Sequence, residues 1–168
     1  AAGSEDPRLS SLLLLDSGGR VTVRNGLAVD GTVTLGAPGV YSYPPGLAFE
    51  GTQTLSGNAT IALVGGSIEQ STENATLTIA TSVLVHGYGS IAGSRTGSSI
   101  RSQATVTSDV AGRYLSVYAH PLVNEGVLEA VSDGILRIGA YSDPPTDFQS
   151  PGIVGETNGT LEWAGPAT

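Results

Sequence analysis

The chain has 168 residues with 24 glycines, 9 prolines, no cysteine and no methionine, and it is 39% hydrophobic but only 13% charged. Seven arginines, no lysine and a net charge of −8 exclude the clustered cations that nucleic acid or an anionic membrane surface requires. The absence of cysteine excludes a disulfide framework, a thiol nucleophile and Cys-ligated zinc. The length suits one domain over residues 1–168 with a sizeable core, and the apolar content is not that of a disordered chain.

Residues Ala1 to Ser10 are polar and read as an N-terminal tail or an entry segment. The opening Ala1-Ala-Gly-Ser suits a chain released by signal peptidase, and equally an excised segment. Leu12 to Leu15 is an apolar run without alternation, too short for the ~20 residues of a membrane span. Residues 11–25 are therefore expected to be buried or to cap one end. Alternation then takes over. Val21 and Val23 face one way, then Leu27 and Val29 together, then Val33 and Leu35, with turns at Asn25-Gly26 and Asp30-Gly31. Pro38, Pro44 and Pro45 bracket a loop that carries Tyr41 and Tyr43. Leu47–Phe49 and Thr52–Leu55 are two further short strands. Inward pairs continue as Ile61/Leu63, Leu77/Ile79 and Val83/Val85, followed by Ile91. Past the Gly93–Ser99 turn come Ile100, Ala104, Val106 and Tyr114–Tyr118. Leu128/Ala130 and Leu136/Ile138 face inward with Glu129 outward. Tyr141–Gly152 is a loop rich in Pro and Asp, and Leu161 and Trp163 share one side of the last strand, opposite Glu162. No ten-residue stretch keeps a 3.6-residue apolar period without Gly or Pro, so no helix is expected.

The strands are expected to be two to five residues long, too short to hold an isolated hairpin together. Coils of roughly 20 residues stacked on one another can bury them, each covering the apolar face of the next. The pattern therefore predicts an all-β, single-stranded parallel β-helix with irregular coils, Gly and Asn at corners that need φ > 0, aliphatic residues inward and Thr or Ser outward. An antiparallel β-sandwich or jelly roll is the competing architecture.

Three segments carry a resemblance: Thr54-Leu-Ser-Gly-Asn-Ala-Thr-Ile, the run Leu77-Thr-Ile-Ala-Thr-Ser-Val-Leu-Val-His-Gly-Tyr-Gly-Ser-Ile-Ala-Gly93, and Leu122-Val-Asn-Glu-Gly-Val-Leu-Glu-Ala. They resemble the repeats of autotransporter- and haemagglutinin-like right-handed β-helices in large secreted bacterial proteins. The match spans roughly residues 50 to 140. It implies a secreted or cell-surface location and a passenger region of the kind that serves as adhesin, stalk or enzyme scaffold. Residues 141–168 match less well and read as a C-terminal cap.

Chemistry-bearing residues are sparse. His86 and His120 are the only histidines; neither has an Asp or Glu at ligand spacing in the sequence, and both read as structural. A polysaccharide hydrolase needs two carboxylates converging across coils. Glu129 and Asp133 are the nearest to that demand, and an outward carboxylate more often only solvates its strand. No nucleophilic triad or Gly-rich phosphate loop is present. No cofactor or metal is expected, Asp143 and Asp147 being the weak calcium candidates. Tyr41, Tyr43 and Tyr141 on Pro-rich loops suit either loop anchoring or a sugar-stacking platform. Asn58, Asn74 and Asn158 head N-x-Thr glycosylation triplets. The expected role is a non-enzymatic structural or adhesive module of a secreted or surface protein. It would partner itself or other surface proteins, and associate end to end or by strand exchange into filaments, with Leu12–Leu15 and Trp163 at the joining ends. The alternative is a carbohydrate-binding or polysaccharide-cleaving module.

Overall fold

The computed structural model describes residues 8–9, 13–15, 18–39, 44–139 and 147–164. Tyr41, Tyr43, Tyr141, Asp143 and Leu12 lie outside them. Among the described residues there is no helix. The strands fall into seven rungs. The first holds β1 (Arg8–Leu9), β2 (Leu13–Leu15) and β3 (Arg20–Val23), and the second β4 (Leu27–Val29), β5 (Gly31–Gly36) and β6 (Gly46–Phe49). The third holds β7 (Gln53–Ser56) and β8 (Ala59–Gln70), and the fourth β9 (Thr76–Ile79) and β10 (Leu84–Gly93). The fifth holds β11 (Ser99–Ser102), β12 (Thr105–Ser108) and β13 (Tyr114–Tyr118), and the sixth β14 (Leu122–Asn124), β15 (Val127–Val131) and β16 (Ile135–Ile138). The seventh holds β17 (Phe148–Gln149), β18 (Ile153–Thr157) and β19 (Thr160–Trp163).

Strands stack in parallel on those of the next rung, so the chain is a parallel β-solenoid of about 6 turns with three faces. The first face is a seven-stranded sheet running from β1 to β17. The other two share one twelve-stranded sheet, because β8 and β10 each run through both. Arg8 faces Ala28, and Leu27 faces Leu55. Rungs are thus 20 to 28 residues apart, longer where a loop leaves a corner.

The alternating residues fill the inside as expected. Val33, Ile61, Val85, Val106 and Leu128 form one column on the second face, all fully buried. Leu47, Ile68, Ile91, Val117 and Ile138 form another on the third. Burying each such side chain is worth about 1.5–3 kcal/mol, and no single rung could do so alone.

Three expectations differ from the structure. Residues 1–10 are not wholly a tail, because Arg8 and Leu9 pair with Ala28 and Val29. Residues 13–15, 20–23, 148–149, 153–157 and 160–163 pair in register with neighbouring rungs, inside the segments read as caps. Strand lengths also exceed five, reaching 12 residues in β8 and 10 in β10. Glycine explains the last point. Gly87 has φ +107° and Gly89 φ +142°, so β10 turns the corner between two faces without ending. A Cβ on Gly87 would stand 2.0 Å from the Leu63 carbonyl oxygen.

The interior is not wholly aliphatic either. Gln53, Gln70, Ser102, Ser108 and Asn124 are buried. The amides tie corners together, since a buried polar group must find a partner. The Gln70 side chain donates to Gly51 O at 2.9 Å and accepts from Thr72 N–H at 2.9 Å. Asn124 donates to Ser150 Oγ and Ile153 O, both at 3.0 Å.

Gly87→Ala is expected to lower stability by more than about 1 kcal/mol, because φ and contact both oppose a side chain there. Leu63→Ala, which leaves a cavity, is expected to cost about 2–5 kcal/mol. Urea unfolding followed by circular dichroism measures both, and an unchanged midpoint for Gly87→Ala would contradict the corner geometry.

Candidate functional site: the outer grooves

On parallel rungs, residues at one register position stack about 4.8 Å apart, so the outside of the solenoid presents columns of side chains. Three surfaces carry polar chemistry.

On the third face, outward columns run Arg20–Gly46–Ser67–Ser90 and Ala48–Glu69–Ala92–Tyr118. Gly46 and Ala48 leave the second rung nearly bare, so Arg20 reaches over it to Glu69, with Arg20 Nη2 to Glu69 Oε2 at 2.7 Å. Between Glu69 and Tyr118 the fourth rung contributes only small residues. The result is a groove of about 420 Å³ lined by Gly18, Arg20, Pro44, Ser67, Glu69, Ser90, Ala92, Ser94 and Tyr118. Glu69 is 19% exposed and Arg20 52%. Burial raises the Tyr118 phenol above its ordinary value, and the Glu69 charge raises it further.

A second groove of about 400 Å³ follows the corner between the first and second faces, lined by Gln103, Thr105, Glu125, Val127 and Ile153 among others. Leu84, Thr105, Val127 and Ile153 form its outward column. Arg101 Nε donates to Glu125 Oε2 at 2.9 Å and Gln103 Nε2 to the same oxygen at 3.0 Å. Those hydrogen bonds, that of Arg101 first, hold the Glu125 carboxyl down to about 2.

The third surface lies on the second face. His86 sits inside β10, not at a strand end, and its Nδ1 is 3.0 Å from Asp109 Oδ2. Thr107, beside His86 in register, donates to Glu129 Oε1 at 2.9 Å. The acidic partner of His86 is thus 23 residues away, one coil along, where sequence spacing did not show it. Among the described residues Asp109 Oδ1 is buried without a hydrogen-bond partner.

Other expected residues are placed as follows. Asn58, Asn74 and Asn158 are exposed, with Asn74 and Asn158 at φ +54° in corner turns. Asp147 is exposed, and its carbonyl accepts from Leu122 N–H at 3.3 Å. Among the described residues no three His, Cys, Asp or Glu side chains gather in a way that could hold a metal ion. Asp133 has φ +60° at an exposed turn. The carboxylates of Glu50, Glu69, Glu125 and Glu162 each face a guanidinium. Sequence reasoning passed over the Arg20–Glu69–Tyr118 groove. Its signal is spacing: the three residues are 49 positions apart in turn, which is two coils.

Searches of protein-family models, of curated proteins and of solved structures each return no match. The parallel β-solenoid therefore rests on the fold itself.

Two outcomes check this geometry. A carboxyl held low stabilises the fold above its ordinary 4.5, and that contribution disappears as pH falls through about 2. The gap in urea midpoint between the parent and Glu125→Gln is therefore expected to close over that interval. Glu69→Gln is expected to lower the Tyr118 phenol, read as the difference between ultraviolet titrations with and without Tyr118→Phe. An unmoved phenol would mean that the carboxylate does not face it.

Proposed function

We propose that the chain is a non-enzymatic structural and adhesive module of a secreted or cell-surface protein, a rod segment that joins other solenoid coils end-on. The observation that carries this reading is the state of the seventh rung. Trp163 and Leu161 hold core register positions, opposite Ile138 and Leu136. Yet Trp163 is 56% exposed, while Phe148, Val154 and Leu161 are only partly covered. The Phe148 and Trp163 rings meet edge to face, 5.3 Å apart at 68°. Strands β17, β18 and β19 pair on one side only among the described residues, and a strand with a free edge is a template for another chain. Apolar rings beside unpaired backbone are what an end-on partner would cover.

The low charge content and the opposed guanidinium–carboxylate pairs suit a passive shaft. The resemblance to autotransporter- and haemagglutinin-like repeats supports a secreted or surface setting and an adhesive or stalk role. The partner in this reading is a second copy or another solenoid of the same kind.

Sedimentation velocity over a concentration series tests it. The parent is expected to associate, and Trp163→Glu to remain monomeric at the same concentrations. Because Trp163 is the only tryptophan, its emission should shift to the blue as association proceeds. A parent that stays monomeric, with emission unchanged at the highest concentration, would remove the end-on role.

A further inference from the structure

We propose that the third-face groove is a saccharide subsite that holds two adjoining residues of a neutral polysaccharide lying along the solenoid. This goes beyond the end-on reading, because the groove is on the side of the shaft and uses none of the seventh rung.

The occupant follows from the chemistry of the walls. A free peptide strand cannot add here, because β6, β8, β10 and β13 already pair on both sides. What remains is side-chain recognition in an open trough. Ala92 forms the floor between Glu69 and Tyr118, each one rung away. The half-buried Tyr118 ring offers an apolar face for the C–H side of a pyranose and a hydroxyl at its edge. Glu69 and Arg20, already ion-paired at 2.7 Å, present an acceptor and a fork of donors side by side. Adjacent ring hydroxyls can bridge such a pair, one donating to the carboxylate and one accepting from the guanidinium. Ser67 and Ser90 add two more hydroxyls at neighbouring rungs, spaced about 4.8 Å along the shaft, a step close to the length of one sugar unit. The groove volume of about 420 Å³ is within the range of small-molecule sites. Neutrality follows from charge. Arg20 is compensated by Glu69, and the chain carries −8 overall, which opposes approach of a polyanion.

Native affinity electrophoresis tests the subsite, using gels cast with hydroxyethylcellulose, soluble starch, galactomannan or polygalacturonate. At least one neutral polymer is expected to retard the parent, and polygalacturonate is not. Tyr118→Ala should weaken retardation about tenfold in apparent Kd. Ala92→Phe, which fills the trough from an outward position, should abolish it. Glu156→Gln, exposed on β18 and outside both grooves, should leave it unchanged. Circular dichroism establishes that each variant folds; should Ala92→Phe not fold, Ser90→Gln takes its place with the same expectation. Retardation by none of the neutral polymers, or retardation that survives the filled trough, overturns the proposal. Retardation by polygalacturonate alone overturns the neutral assignment. None of these readings depends on Trp163, so loss of the end-on role and loss of the subsite are separately visible.

Discussion

Rung-on-rung pairing is the constraint from which the rest of this molecule follows. Several of its strands are only three or four residues long, and such a strand buries nothing by itself. In parallel register each one gains a backbone ladder and an apolar neighbour above and below. Val33, Ile61, Val85, Val106 and Leu128 are buried because they lie in one column. The same column principle puts every outward residue beside a residue about one coil away, and so it also writes the surface.

The corners show how that constraint is met. A rung must change direction at each corner while its backbone stays paired, and glycine permits the φ values this needs. Gly87 lets β10 cross from one face to the next without breaking, close against Leu63 of the rung below. Where a corner loop would strand carbonyls inside, a buried amide meets them, as Gln70 does for Gly51 and Asn124 for Ile153. Among the described residues the Ser102 and Ser108 hydroxyls and Asp109 Oδ1 are the exceptions, buried without a hydrogen-bond partner. A hydroxyl costs less to leave unmet than a charge, and Ser102 and Ser108 are the last residues of β11 and β12.

Charge follows the coil period as well. Arg24 meets Glu50 26 residues on, Arg101 meets Glu125 24 on, and Arg137 meets Glu162 25 on. Arg20 spans two coils to Glu69 because the rung between them carries Gly46 and Ala48. That pair owes its existence to what is missing from the intervening rung. The groove beyond it exists for the same reason, since Ser90, Ala92 and Ser94 raise no wall between Glu69 and Tyr118.

The alternation of Ile61/Leu63, Leu77/Ile79 and Leu136/Ile138 was legible from the chain alone, because side chains in a strand point to opposite sides whatever the strand pairs with. Strand brevity and Gly-marked turns favoured stacked parallel rungs over an antiparallel sandwich, and the parallel register of the folded chain decided between them. The length of β8 and β10 was not legible, since a glycine inside a strand and a glycine ending one look alike in sequence. Nor were the partners of His86 and Glu69. They lie one and two coils away, and the offset between rungs varies from 20 to 28 residues with the loops. Only the folded register, set by how the inward columns interlock, decides which outward residues come to face each other.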